Sequence, residues 1–423
     1  MFVLLVALLV LGLPIAYTIG FPSMIFVMLQ DEALLRIVPR RMFYGINSFV
    51  FLAIPFFILA GEIMSEAKIT DKLMDLADAL VGHVRGGLAQ VNVVTSMFFA
   101  GISGAALSDV AGLGSVMIPA MEKAGYDRKF AAAITATSSI QGPIIPPSII
   151  IVVYASIMGT SVGALFAAGL IPGVLIGLSD CAIVALKAKK RNYPKRNSRF
   201  SIRVLFISFI AAIPALIMPL IILGGILGGI FTPTEAGAVA AGYGLILAMV
   251  FYRSLGWKTL WKIIGSTVRK SANLFIIIAF ANVFSYVLAM ENIPQLVGDL
   301  LFGWTDNIVL ILLAVNLILL FVGTWLETGA AIILMAPIFG PMLVQMGLNP
   351  IHIGMIMIVN LTIGLITPPV GVCLYAAANV SGCKISEIAK EAMPYIGLDI
   401  AVLLAITFIP QLVMFLPRLI GLA

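Results

Sequence analysis

Charge is scarce in this 423-residue chain: Asp, Glu, Lys and Arg make up 10% of it. A soluble domain carries about 25%, so an ordinary water-facing surface is excluded. The chain has three cysteines, Cys181, Cys373 and Cys383, and two histidines, His83 and His352. None has the spacing of a disulfide framework, a structural zinc site or a haem site. No G-x-x-x-x-G-K-[ST] phosphate loop occurs, so ATP hydrolysis is not expected. No H-E-x-x-H sequence or nucleophile–base pair occurs either, so the chain does not read as an enzyme. The N-terminus lacks a basic n-region and an A-x-A cleavage site, and residues 2–28 read as a first membrane helix bent at Pro14 and Pro22. No Lys or Arg lies between Gly86 and Glu122, between Lys129 and Leu186, or between Lys270 and Ser381.

What fills the chain is apolar: 61% of it is hydrophobic, and mean hydropathy is +1.15. Long apolar runs, such as 205–224 and 308–322, alternate with short charged patches. This predicts an all-α polytopic membrane protein, because helices satisfy their own backbone groups in lipid. The net charge of +6 does not point to nucleic acid, since the bases gather in loops. That is the pattern of cytoplasmic membrane loops.

One stretch occurs twice. GISGAALSDVAGLGSVMIPAMEKAG leads to QGPIIPPS, and GTWLETGAAIILMAPIFGPMLVQMG leads to GLITPPVG. Gly101 pairs with Gly323, an offset of 323 − 101 = 222. The same offset relates Pro119 to Pro341, Gly142 to Gly364, Pro146 to Pro368 and Pro172 to Pro394. Glycine and proline bend or break helices, so matched pairs report a repeated backbone shape.

The reading divides the chain into six parts. Residues 1–85 are first-repeat scaffold helices, including a span at 46–65 and an amphipathic interfacial arm at 68–84. In that arm Ile69, Leu73, Leu76, Leu80 and Val84 recur at helical spacing, and His83 at its end reads as a surface residue. Residues 86–160 hold a re-entrant hairpin and a helix broken at QGPIIPPS. Residues 161–203 hold a span and a basic loop. Residues 204–305 are second-repeat scaffold, with spans at 205–224, 236–252 and 270–290 and a basic link between the last two. Residues 306–380 hold the second hairpin and the second broken helix. Residues 381–423 hold an amphipathic piece at 385–392 and a last span at 394–417, and His352 reads as interfacial.

Residues 187–203 carry eight bases (Lys187, Lys189, Lys190, Arg191, Lys195, Arg196, Arg199, Arg203) and no acid. This loop is therefore placed in the cytoplasm. Counting crossings from it puts the first hairpin on the cytoplasmic side and the second on the periplasmic side, so the repeats are inverted. The same count puts the N-terminus inside and the C-terminus outside. It also places Arg36, Arg40 and Arg41 outside, against the positive-inside rule.

Broken helices at membrane depth are tolerated where they line a cavity or bind something. Helix N-termini suit a carboxylate and loose carbonyls suit a cation. In the first repeat the oxygen donors are Ser103, Ser108 and Asp109 at the tip, with Ser138, Ser139 and Gly142 at the break. In the second they are Thr324, Glu327 and Thr328 at the tip, with Asn360, Thr362, Gly364 and Thr367 at the break. Hard oxygen donors favour an alkali cation over a transition metal. The symmetry predicts two Na+ sites, with substrate between the tips and Ser103, Asp109, Ser148 and Glu327 nearest to it. Carboxylates in a span are costly, hence functional by default. A second reading makes Asp109 and Glu327 caps of the hairpin helices, and Glu62 and Glu235 partners of polar backbone. Small residues at 101–115 also suit close helix packing. The predicted centre has no basic side chain, so an anionic substrate would be met by Na+, helix N-termini and hydroxyls. A passive channel is the alternative, since re-entrant loops also build filters.

Several stretches together resemble the large membrane subunit of tripartite ATP-independent periplasmic (TRAP) transporters. They are LAIPFFILAGEIM (52–64), GISGAALSD (101–109), QGPIIPPS (141–148), FTPTEAGAVAAGYG (231–244), GTWLETGAAIILMAPI (323–338) and LITPPVG (365–371). The resemblance implies a bacterial inner-membrane importer of organic acids, of the sialic-acid or C4-dicarboxylate type, driven by Na+. It implies an elevator movement of the two-hairpin core and a fold similar to divalent anion/Na+ symporters. It also implies two partners, a small four-helix membrane subunit and a periplasmic substrate-binding protein. By position it assigns Ser103, Ser108 and the Gly142 break to one Na+ site, and Gly323, Thr324, Gly364 and Thr367 to the other; Gly101 is a further Na+ candidate.

Overall fold

The computed structural model describes residues 1–30, 32–67, 70–194, 200–305 and 307–422. Ile69 of the expected arm and Lys195, Arg196 and Arg199 of the basic loop lie outside the described residues. Every regular element among the described residues is helical, and eight stretches are long and apolar enough to cross a membrane.

The first repeat opens with α1 (Phe2–Val10), α2 (Ile15–Gln30), α3 (Ile37–Ile46), α4 (Ala53–Glu66) and α5 (Thr70–Val81). Then come the hairpin α6 (Gly87–Ser103) and α7 (Ala106–Lys123), the two halves α8 (Arg128–Ser139) and α9 (Ile149–Met158), and α10 (Val162–Lys190). A connecting helix, α11 (Ile202–Leu227), leads to α12 (Pro233–Ile246), α13 (Trp257–Met290) and α14 (Ile293–Trp304). The second hairpin is α15 (Ile308–Trp325) and α16 (Thr328–Gln345). The second broken helix is α17 (Pro350–Gly364) and α18 (Val372–Ser381), followed by α19 (Ile385–Phe408) and α20 (Pro410–Leu419).

The hairpin helices repeat in strict register. α7 and α16 start 328 − 106 = 222 residues apart and end 345 − 123 = 222 apart. The peptide bonds Pro146–Pro147 and Pro368–Pro369 are both cis. Packing follows a two-fold exchange of the repeats. α7 packs on α18 as α16 packs on α9, and α8 packs on α19 as α17 packs on α10. Five crossings (α2, α3–α4, α8–α9, α10 and α11) precede α12, the counterpart of α2. An odd number inverts the second copy.

Several boundaries differ from the sequence reading. Residues 2–28 are two helices, because the chain turns at Gly12 (φ 75°) before Pro14. The basic link before 270 is the first part of α13. There Leu260, Ile263, Thr267 and Ser271 are buried at helical spacing while the bases stay on the other face. α14 was not expected, yet it is the counterpart of the arm α5. The piece at 385–392 is the start of α19, which absorbs Pro394 and stops at Ile409, before Pro410. The arm itself forms as expected and buries Leu73, Leu76 and Ala77. His83 is partly exposed, with its ring 5.4 Å from that of Phe200. His352 is not interfacial. It is buried in α17, with Nε2 2.8 Å from the carbonyl of Ile406 on α19.

An ion-pair cluster closes the loop-side end of the core. Glu391 on α19 meets Lys187 at 3.0 Å and Arg191 at 2.7 Å. Arg191 reaches Asp127 at 3.3 Å, and the Tyr193 hydroxyl donates to Asp127 at 2.9 Å. The Glu391 and Lys187 side chains are only 11% and 15% exposed. Removing the shared carboxylate leaves Lys187 only the Glu391 backbone carbonyl and Arg191 only Asp127 and Tyr193, so Glu391→Ala should cost about 2 kcal/mol, below the roughly 3–5 of a fully buried pair. Thermal unfolding in detergent would read this, and an unchanged transition would reject the cluster as a clasp.

Candidate functional site

Each hairpin tip is built so that backbone can approach backbone. Gly104 (φ 62°) turns α6 into α7, and a Cβ there would sit 2.8 Å from the carbonyl of Pro147 in the first break. Gly142 lies under the tip, where a Cβ would stand 2.8 Å from Asp109 Oδ2 and 3.2 Å from Ala105 backbone. In the second repeat the contact is closer still. A Cβ on Gly323 would meet the Leu361 carbonyl at 2.7 Å, and one on Gly364 would run into the Gly323 backbone. Tip and break thus touch in both repeats, and the break glycines that do so are 364 − 142 = 222 residues apart.

The two repeats also meet each other. Gly329, in the first turn of α16, faces Ile150 at the start of α9. Cys373, in the first turn of α18, lies beside Ser139 and within electrostatic reach of Asp109 and Glu327. Both tips and both breaks border one cavity of about 780 Å³, through Ser103, Ser108, Pro143, Glu327 and Leu365. Its opposite wall is scaffold, from α4 (Gly61, Glu62) and α13 (Lys270, Asn273).

In the first repeat the Ser103 hydroxyl donates to Asp109 Oδ1. Asp109 is fully buried, and its Oδ2 has no hydrogen-bond partner. Ser108 is exposed to the cavity and donates to the Ala105 carbonyl at 2.8 Å. Gly101 packs near Pro219 and the carbonyl of Pro146. Ser138 turns towards α6, where its hydroxyl lies 2.9 Å from that of Ser96. Ser139 donates to the Ala136 carbonyl at 2.7 Å. Ser148 caps α9: it donates to the Pro143 carbonyl at 2.5 Å and accepts from Ile151 N–H at 3.3 Å.

In the second repeat Glu327 caps α16, and its Oε2 accepts from Gly329 N–H at 3.0 Å and Ala330 N–H at 3.4 Å. Thr328 is fully buried with an unpartnered hydroxyl. The Thr324 carbonyl accepts from Gly371 N–H at 3.1 Å, which pins the tip to the second break. Thr362 and Thr367 donate to the carbonyls of Ile358 and Ile363. Asn360 donates to Asn316 of α15 and leaves its own Oδ1 unpartnered. Each half therefore keeps hard oxygen atoms in reserve: Asp109 Oδ2 in one, Thr328 Oγ1 and Asn360 Oδ1 in the other. Buried oxygens without a partner are what a small cation would satisfy, so these residues fit Na+.

Sequence reasoning missed the basic side chain of this centre. Lys270 enters the cavity from α13, paired with Glu62, which also accepts from Ser266 at 3.3 Å. Lys270 stands at the edge of the basic link, and the unexpected helix there is what carries it inward. Glu62 is therefore the partner of a cation and not of backbone. Glu235 does cap backbone, accepting from Thr232 N–H at 2.8 Å at the start of α12.

The family model described as "Tripartite ATP-independent periplasmic transporter, DctM component" matches residues 2–412. The chain is 37% identical over 411 residues to the sialic acid TRAP transporter large permease SiaM of Vibrio cholerae, covering 96% of this chain and 95% of that one. It is 38% identical over 410 residues to the C4-dicarboxylate TRAP transporter large permease DctM of Pseudomonas aeruginosa, with 96% and 95% covered. It is 39% identical over 407 residues to the isethionate TRAP transporter permease DctMQ of Oleidesulfovibrio alaskensis, covering 96% of this chain but 64% of that protein. Among solved structures, the YdaH transporter of Alcanivorax borkumensis matches the fold with a TM-score of 0.62 at 15% identity, covering 89% of this chain and 90% of that one.

Proposed function

Because the chain belongs to the DctM component family of tripartite ATP-independent periplasmic transporters, and is a multi-pass inner-membrane large permease, we propose that it imports an organic acid by coupling it to Na+. The observation that carries this is the meeting of both hairpin tips and both breaks at one cavity, with orphaned oxygens in each repeat. Na+ supplies positive charge beside the substrate. The chain's own groups shape and hold the rest. Asp109, Thr328 and Asn360 offer oxygens to the ions, the first turn of α7 borders the cavity with its positive end, and Lys270 adds a cation. Sialic acid, C4-dicarboxylates and isethionate, named for the relatives, are all anions at neutral pH, which suits such a centre.

The movement we propose is an elevator one. The hairpins, the broken helices, α10 and α19 pack on one another, and the cavity lies between this block and scaffold helices α4 and α13. With the 187–203 loop in the cytoplasm, that cavity opens inward. Two partners complete the reading: a small four-helix membrane subunit and a periplasmic substrate-binding protein. The isethionate relative carries extra chain beyond the matched part, which leaves room for a second membrane component.

Proteoliposomes holding the chain, its small membrane subunit and its binding protein test this. Substrate should accumulate under an inward Na+ gradient and fall to background when choline replaces Na+. Uptake unchanged in choline would reject the coupling. Flux indifferent to any ion gradient would favour a channel.

A further inference from the structure

A second buried polar cluster lies away from the cavity, between α10 and α19. Asp180 on α10 and Asp399 on α19 are fully buried neighbours. Tyr395, one turn before Asp399, and Gln141, from the first break, are also fully buried; Gln141 lies against Asp180, and Tyr395 is near enough to feel its charge. The bases nearest along the chain, Lys187 and Arg191, are taken by Glu391. Two ionised carboxylates in one dry spot without a cation repel each other and lose their hydration.

Ser179 is the hydroxyl donor beside this pair. Its Oγ lies 2.7 Å from the Ile176 carbonyl and 2.9 Å from Asp399 Oδ1. A hydroxyl has one hydrogen, and both neighbours are acceptors. Ser179 therefore meets only part of the charge on Asp399. Repulsion leaves the two carboxyls one proton to share, and so one negative charge between them.

Around that charge stand atoms that no protein donor satisfies. The Gln141 amide is the nearest donor to Asp180 but closes no hydrogen bond of ordinary geometry with it, and Asp399 Oδ2, the Tyr395 hydroxyl and Gln141 Oε1 have no hydrogen-bond partner. Leaving so many buried polar atoms unmet is costly. One negative charge among oxygen donors, with no imidazole or thiolate in the set, matches one small hard monovalent cation. We infer that Asp180, Asp399, Gln141 and Tyr395 form a binding site for a single Na+ ion, distinct from the hairpin sites. Gln141 immediately precedes Gly142, so an ion here ties α10 and α19 to the first break. The inference stands on this cluster's own atoms and does not need the hairpin sites to bind.

Equilibrium binding of ²²Na+ to the full chain, purified with its membrane subunit in nanodiscs, counts the ions. Asp180→Asn should bind one Na+ fewer than wild type. Tyr395→Phe removes a hydroxyl that makes no hydrogen bond, so the fold stands. It should raise the half-saturating Na+ concentration of one ion by about tenfold. If Asp180→Asn does not fold, Tyr395→Phe decides alone. Wild-type count and affinity in the variants would overturn this site and leave the hairpin reading intact. A wild-type chain that binds no Na+ would overturn both.

Discussion

Gly364→Ala should abolish uptake. The Gly364 Cα rests on the backbone of Gly323, and an added methyl has only main-chain atoms to push against. Gly323 cannot retreat, because its own Cα already faces the Leu361 carbonyl and the Gly364 Cα. Overpacking of this kind costs about 1–3 kcal/mol, or more where backbone must shift. The shift would fall on the contact between the second tip and the second break, where the mechanism needs its ligands fixed. Small misplacements at such sites cost roughly 100-fold in rate. Gly242→Ala is the matched control: a Cβ there meets nothing within 4 Å. Uptake by proteoliposomes should therefore vanish in the first variant and persist in the second. Wild-type uptake by Gly364→Ala would show that tip and break are not held together during transport.

The same glycines explain why so much of the fold was legible. A glycine or proline that breaks a helix leaves a mark in sequence that no neighbour can overwrite. Two sets of marks at one offset gave the hairpins and the breaks, and a count of crossings from the basic loop gave their inversion. Elements defined by packing alone were harder. α14 has no distinctive residue of its own, and only its place opposite α5 identifies it. The early part of α13 reads as a charged link because its bases hide the buried stripe of Leu260, Ile263 and Thr267. The site was legible as a region but not atom by atom. Ser138 carries the right chemistry and points at Ser96. Ser148 spends its hydroxyl on a helix cap. Which oxygens are left over depends on partners distant in sequence, as with Asn316 beside Asn360. Asp180 and Asp399 were a different kind of omission. Each is an acid inside a long apolar helix, and that alone marks a position as functional by default.

Asp109→Asn separates the two roles open to that carboxylate. The substitution keeps the size of the side chain and an acceptor for Ser103. It removes the negative charge beside Gly142, where Oδ2 has no protein partner. If Oδ2 holds Na+, the ion loses a charged ligand worth roughly 1.5–3 kcal/mol. The Na+ concentration for half-maximal uptake should then rise by roughly 10- to 150-fold. Ser103→Ala removes only a neutral neighbour and should move it the same way by about tenfold. Na+ should also stabilise the wild type against heat, because a ligand bound only by the folded state adds its binding free energy to folding. That stabilisation should shrink in Asp109→Asn. A structural cap behaves otherwise: the variant would unfold at a lower temperature, with its Na+ dependence unmoved. The two outcomes differ in which curve shifts, so uptake against Na+ and melting against Na+, measured on the same preparation, decide between ligand and cap.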